Sequence, residues 1–230
     1  MLNLVLVEAA LEMVPTGIQH HPSVRRNARR RRKKPTETLL DRSLHHAAMK
    51  GLPKAHKRGR PDIVHFCMLE ALGSPLNLEG GLRLWVHTVS DLVVEVAPET
   101  RLPRDYSRFK SLMEQLFTDG RVPPDFERPL MSVKRVSLRR LMEEIGPTRT
   151  VALTSHGRPT TLEAVCGRLL EEENPAVFVG VYPSGPMEAE TLALSDEALS
   201  IYPEALEAWV VTSRLIYEFE KALERQSDPD

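Results

Sequence analysis

The last third of the chain narrows the possible folds more than any other stretch. Residues 150–153 read as a strand, 154–157 as a turn, 160–172 as a helix and 176–181 (Ala-Val-Phe-Val-Gly-Val) as an uninterrupted apolar strand. A strand without polar alternation needs cover on both faces, and strands alternating with helices are joined by crossovers. The pattern therefore predicts an α/β fold on a parallel sheet. A strand at 191–194 and a long helix from Pro203 follow, the helix carrying Leu206, Trp209, Val210, Ser213, Ile216, Tyr217 and Leu223 on one face.

Residues 2–7 (Leu-Asn-Leu-Val-Leu-Val) repeat the buried-strand signal. With no basic flank before them and Glu8 directly after, they read as a strand and not as a signal peptide. Between the two ends, the sequence predicts helices at 39–49, 62–72 and 106–117 and strands at 82–87, 92–97 and 130–136, with a helix capped by Ser137 and ended by Gly146. A chain of 230 residues can bury one substantial core, which suggests a single domain over 1–230. No apolar run approaches the roughly 18 residues that suggest a membrane span. Cys67 and Cys166 lie far apart without CxxC spacing, which fits a reducing cytoplasm better than a disulfide framework or zinc site.

Ligands of open α/β sheets sit outside the carboxyl ends of the strands. Three loops qualify: 154–157, 180–185 (Gly-Val-Tyr-Pro-Ser-Gly) and 199–202 (Leu-Ser-Ile-Tyr). The chain has neither GxGxxG nor GxxxxGK[ST], so a Rossmann dinucleotide site and a P-loop are both unsupported.

A formal net charge of −1 conceals a division: residues 1–150 hold 26 Lys+Arg against 17 Asp+Glu, and residues 151–230 hold 5 against 15. Such an asymmetry is expected where the first part faces a polyanion. Within it, Arg101-Leu-Pro-Arg104-Asp-Tyr-Ser-Arg108-Phe109 reads as a phosphate clamp. Pro103 keeps Arg101 and Arg104 on an irregular lead-in, and the helix that follows offers free N–H groups and a positive dipole end to an anion. Guanidinium binds phosphate through paired hydrogen bonds, which suits a nucleic-acid backbone. The competing interpretation is a solvated surface with one salt bridge to Asp105 or Glu99. The second strand, 92–97, feeds this stretch, so the clamp is expected to hang from a sheet edge.

Residues 25–34 carry eight positive charges in ten positions and are expected to be a mobile basic loop that orders on an anionic partner, or a solvated loop or localisation signal. A further basic cluster, 54–60, ends at Pro61, which suits a first helical turn. Asp62, two residues after Arg60, can cap the helix, hold the Arg60 guanidinium or face a substrate. His45 and His46 point about 100° apart on a helix and cannot share one metal.

Several of these stretches occur in the same order in one known family: Gly59-Arg-Pro-Asp-Ile-Val-His65 followed by Ser74-Pro-Leu-Asn77, Glu99-Thr-Arg-Leu-Pro-Arg-Asp-Tyr-Ser-Arg-Phe109, Phe178-Val-Gly-Val-Tyr-Pro-Ser-Gly185 and Leu199-Ser-Ile-Tyr-Pro203. The chain resembles, over essentially its whole length, the ribosome-biogenesis pseudouridine methyltransferases of archaea and eukaryotes, of the SPOUT class. The resemblance implies a parallel α/β sheet whose C-terminal part, about 150–230, is tied in a trefoil knot, with a basic insertion within 20–60. It implies a homodimer that methylates N1 of a pseudouridine in small-subunit ribosomal RNA with S-adenosylmethionine. The cofactor role carries to Thr154, Ser155, Gly180, Gly185, Leu199, Ser200, Ile201 and Tyr202, and RNA contact to Arg60, Arg101, Arg104 and Arg108. Asp62 matches the family's acidic residue. Because a carboxylate among arginines is a weak base, orienting Arg60 ranks above proton abstraction for it. Ribosome assembly factors are further possible partners. The alternative from another class is an RNA-binding assembly factor whose methylation is secondary or absent; a third reading, transfer-RNA methylation, conflicts with the arginine motifs.

Overall fold

The computed structural model describes residues 1–227. Strand β1 (Leu2–Ala9) is buried along its whole length and forms the middle of an eight-stranded sheet. The segment after it carries helices α1 (Pro22–Arg30) and α2 (Arg42–His45), joined by short 3-10 turns, before α3 (Pro61–Gly73) and the single-turn α4 (Pro75–Leu78). Then come β2 (Leu82–Thr88), β3 (Val93–Val96), α5 (Tyr106–Asp119), β4 (Arg121–Val122), β5 (Met131–Lys134) and α6 (Leu138–Ile145). The last part is β6 (Arg149–Pro159), α7 (Leu162–Leu170), β7 (Pro175–Gly180), α8 (Ala189–Leu192), β8 (Glu197–Ser200) and α9 (Ala208–Ser227).

The sheet order is β4-β5-β3-β2-β1-β7-β6-β8. Pairing is parallel from β2 through β1, β7 and β6 to β8, and antiparallel from β2 outward through β3, β5 and β4. Period-two alternation explains the layers: Leu2, Leu4 and Leu6 join one core with side chains of α3, α5, α7 and α9, while Val5 and Val7 join another with α6 and Phe178. A small third core, Val14, Val24, Leu40, Ala48 and Met49, lies within the segment after β1. Among the described residues no helix is long and apolar enough to cross a membrane.

Several elements differ from what the sequence predicts. Residues 25–30, expected in a mobile loop, belong to helix α1. Val24 and Ala28 give the helix a narrow apolar side, His21 caps it, and Asn27 bonds the buried His45 ring at 3.0 Å. Its exit is fastened by Arg31 and Lys33, both paired to Glu114 of α5. Of the helix expected over 39–49, only α2 is α-helical; residues 46–51 continue as 3-10 turns. The strand expected at 191–194 is instead part of α8 and its exit, and the strand of that region is β8. Strand β3 lies inside the sheet between β2 and β5, so the arginine stretch does not hang from an edge. Helix α9 buries Ala208, Thr212, Leu215, Ile216 and Phe219, whereas Tyr217 is 59% exposed, because α9 packs against both α3 and α7 and not along one stripe.

Glu114 is 1% exposed and accepts hydrogen bonds from Arg31, Lys33 and the Leu39 N–H. Removing it strands a buried backbone donor and two cations. Glu114→Ala is expected to lower unfolding free energy by about 2–4 kcal/mol, read as a shift in denaturation midpoint. Hydrogen exchange should accelerate in α1 before it does in β1.

Candidate functional site

The carboxyl ends of β7 and β8 and the middle of the neighbouring strand β6 open on one cavity of about 240 Å³. Seven of the eight residues expected at a cofactor, Thr154, Ser155, Gly180, Gly185, Ser200, Ile201 and Tyr202, line it. Leu199 does not: it is fully buried behind the wall, in register with Leu153 and Arg158 of β6. Residues 154–157 are not a free turn but the irregular middle of β6, where pairing with β8 skips from Leu153 to Arg158. Glycine is required here, since a Cβ on Gly157 would lie 2.5 Å from Leu199 backbone atoms.

Glu204, Glu207, Tyr182, Met187 and Ile63 also line the cavity and were missed from sequence. Its lining combines Thr154, Ser155, Ser184 and Ser200 with apolar Ile63, Val179 and Val211 and with two exposed acidic residues, Glu204 and Glu207. This donor set suits a ligand with a flat apolar part, hydroxyls and a positive charge.

The loop from Gly180 to Met187 is held from below by a buried ion cluster. Lys57 Nζ pairs with Glu8, lies 3.1 Å from Glu188 and sits 4.1 Å above the Tyr182 ring, and it also donates to the Pro186 carbonyl. Glu8 additionally accepts the Glu188 N–H at 2.8 Å. Lysines 54 and 57 hold Glu188 below the usual carboxylate range, chiefly by hydrogen bonds. Burial pushes the Tyr182 phenol up, so it stays neutral. Gly185, at φ 94°, passes within 3.2 Å (measured from a built Cβ) of the His56 ring, a backbone state and clearance that a side chain would not allow. Nothing in the sequence separates Lys57 from its solvated basic neighbours.

Beside the cavity, α3 starts at Pro61. Its second residue, Asp62, does not cap the helix; its two oxygens take Arg60 Nε at 2.8 and 3.1 Å and Nη2 at 2.7 Å. Arg60 is held above its ordinary value mainly by this hydrogen bond, with smaller contributions from Glu207 and Tyr106, which places Arg60 electrically between cavity and arginine stretch. Ile63, one residue beyond Asp62, lines the cavity.

The arginine stretch is fixed to the same helix. His65 Nε2 lies 2.7 Å from the Pro103 carbonyl, and its ring stacks on Phe109 with centroids 4.1 Å apart. Asn77 Nδ2 donates to the Pro98 carbonyl at 2.8 Å. Asp105 caps α5, accepting the Arg108 N–H at 2.9 Å. Arg101, Arg104 and Arg108 are exposed, and among the described residues none of them pairs with a carboxylate, Asp105 and Glu99 included. The four arginines are thus gathered at the starts of α3 and α5. Among the described residues no group of three His, Cys, Asp or Glu side chains could hold a metal, and His45 is a buried ring bonded to Asn27 and the Asp41 N–H.

A family model described as "EMG1/NEP1 methyltransferase" matches residues 4–220. A protein of Staphylothermus marinus named "Ribosomal RNA small subunit methyltransferase Nep1" is 46% identical over 215 residues, covering 94% of this chain and 93% of that protein. One of the same name from Thermococcus kodakarensis is 45% identical and covers 97% of this chain and 99% of its own length. The crystal structure of Archaeoglobus fulgidus Nep1 bound to S-adenosylhomocysteine superposes with a TM-score of 0.85 at 37% identity, covering 96% of this chain and 98% of that one.

Burial lowers the imidazole pKa of His45, His65 and His87. In each case the folded value lies below the unfolded one, near 6.5, so the unfolded state binds more protons in between. The stability these rings confer is complete above the unfolded value and is lost as pH falls through the folded values. Denaturant titrations are expected to give a flat stability from pH 8 to about 7 and a decline below it. His65→Gln should reduce the slope by up to about 1.4 kcal/mol per pH unit.

Proposed function

The chain belongs to the EMG1/NEP1 methyltransferase family, and from that membership we propose that it methylates N1 of a pseudouridine in a loop of small-subunit ribosomal RNA. It is a ribosomal RNA methyltransferase, with S-adenosylmethionine as methyl donor. The observation that carries the finer reading is the common anchorage at α3, where Ile63 borders the cavity, Asp62 holds Arg60 and His65 ties down the Pro103 carbonyl of the arginine stretch.

When bound, S-adenosylmethionine supplies an electrophilic methyl group on a sulfonium. In this proposal the hydroxyls and apolar walls of the cavity take its nucleoside part, and Glu204 and Glu207 stand on the side of its positive charge. Arg101, Arg104 and Arg108 hold phosphates flanking the target, and Arg60 presents its free edge to the splayed-out base. N1 of pseudouridine carries a proton because its glycosidic bond runs to carbon. N1 would give up its proton to solvent water, a cation at Arg60 stabilising the anionic ring, and would then take the methyl group as the sulfur–methyl bond breaks with its electron pair kept by sulfur. Asp62 spends both oxygens on Arg60, which supports a positioning role over that of a base.

We place the remaining expectations in the same proposal: one domain, a trefoil knot over about 150–230, of which 228–230 lie outside the described residues, a cytoplasmic homodimer, and contact with ribosome assembly factors. The convergence of the irregular middle of β6 and the loops after β7 and β8 on one cavity supports the knot. Phe66, 50% exposed and packed on the Trp209 ring, and Tyr217 nearby on α9 support dimerisation across α3 and α9. Buried free thiols at Cys67 and Cys166, the burial pushing both up to about 12, support a reducing compartment.

The test is methyl transfer from labelled S-adenosylmethionine to two hairpins of one sequence, with uridine or pseudouridine at one loop position. Label on the pseudouridine hairpin alone is the expected outcome. Binding of both hairpins with no label and no calorimetric cofactor signal would install the assembly-factor reading instead. Asp62→Asn is expected to weaken RNA binding about 3- to 10-fold, since a half-exposed charged pair contributes on the order of 1 kcal/mol, and to leave the pH–rate profile in place. A profile that loses its acidic limb would make Asp62 the base.

A further inference from the structure

We propose that α1 is a second phosphate-binding surface, which grips a base-paired arm of the RNA whose loop reaches the cavity. The nature of the polyanion rests on the RNA methyltransferase reading; the surface itself rests on the following geometry.

Arg25, Arg26, Arg29, Arg30 and Arg32 are all exposed, and among the described residues none of them pairs with a carboxylate. Arg25 with Arg29 and Arg26 with Arg30 form two rows at i and i+4, where like charges repel one another and oppose the helix, and Arg32 lies just beyond its end. Of the three basic residues that do have partners, Arg31 and Lys33 meet Glu114 and so act as fastenings, and Lys34 meets the neighbouring Glu37. Against α1 lies a groove of about 500 Å³ lined by His20, Pro22, Arg25, Arg26, Arg29 and Lys33. No acidic side chain lines it. Lys33 has its counter-ion in Glu114, but the groove's arginines have none among the described residues, which fits an external polyanion, and guanidinium forks fit phosphate oxygens in particular.

The second observation is the fastening point. Glu114 lies on α5, the helix whose first turn carries Arg108. Six residues of helix separate them, about 9 Å along the axis. One rigid element therefore sets the distance from the arginine stretch to α1. A target loop held at Arg101, Arg104 and Arg108 has a stem beside it, and base-paired RNA is bound mostly through its backbone and shape. The alternative partner, an acidic protein segment, has no counterpart for this fixed offset.

The experiment compares equilibrium binding of a minimal hairpin with the same hairpin on a stem longer by one helical turn. The proteins are the full chain and a variant with Arg25, Arg26, Arg29 and Arg30 all changed to Gln. The full chain is expected to bind the longer RNA at least tenfold more tightly. The variant should lose that gain and show a salt-dependence slope smaller by about 2–4, at roughly 0.9 per phosphate contact. Unchanged melting temperature and cofactor binding identify a folded variant; if it does not fold, the same four residues changed to Lys should keep most of the slope. Equal affinity of the full chain for both RNAs, or a folded variant that binds like the full chain, overturns the proposal. So does hydroxyl-radical footprinting of the full chain that protects the loop but not the stem. Methylation of the minimal hairpin reports separately on the underlying activity: its absence sinks that reading, while its presence without a stem contribution removes only the role of α1.

Discussion

One wall of the cavity, the loop after β7, depends on a positive charge cut off from water. Lys57 is buried, and a lone ammonium there would cost several kcal/mol. Its partners come from the end of β1 (Glu8) and from the loop after β7 (Pro186, Glu188, and the Tyr182 ring), separated in sequence by up to 180 residues. Satisfying one ammonium therefore fixes three pieces of chain at once. Glu8 takes a left-handed backbone state, φ 52°, that disfavours any residue with a side chain by on the order of 1–2 kcal/mol. A buried pair of this kind does little for net stability; its service is to admit only one arrangement of the loop.

From that fixed loop, α3 carries position outward. Its first turn touches the cavity through Ile63 and holds Arg60 through Asp62; its second turn, through His65, ties down Pro103 and stacks on Phe109 of α5. A neutral His65 donates to a carbonyl and packs flat against a phenyl ring, which a lysine or glutamine could not do together. The arginines consequently sit on rigid helix starts although Arg101 and Arg104 lie in irregular chain. Preorganisation of this kind limits the ordering that RNA binding would otherwise require.

The sheet was legible because its signal is local. Alternating Leu and Val in β1 encode two cores, and the apolar run of β7 encodes cover on both faces. The loops after β7 and β8 were legible from the same rule about strand ends, whereas 154–157, expected as a turn, is the irregular middle of β6. Helix α1 was not, because eight charges in ten residues outweigh the two apolar side chains that decide its fate, and its fastening to Glu114 spans more than 80 residues. The strand expected at 191–194 failed for a related reason: Thr-Leu-Ala-Leu suits either state, and helix α8 starts where the ion cluster holds Glu188. Lys57 left no trace at all, since its meaning lies wholly in distant partners.

The charge asymmetry acquires a physical sense once pairing is considered. In the acidic last part, Arg158 and Arg168 both meet Glu197, and Arg225 meets Glu163, so these cations are neutralised locally. In the basic first part the exposed arginines of α1 and of the 101–108 stretch keep their charge for an outside partner. The cavity lip is the opposite: Glu204 and Glu207 give it negative character a short way from Arg60. In the proposed function a polyanion is drawn to the arginines and repelled by the lip, so only an uncharged base gains by crossing the boundary. The same lip favours a cationic methyl donor over its neutral-sulfur product. Charge sorting then selects both reactants before any contact specific to the base is made.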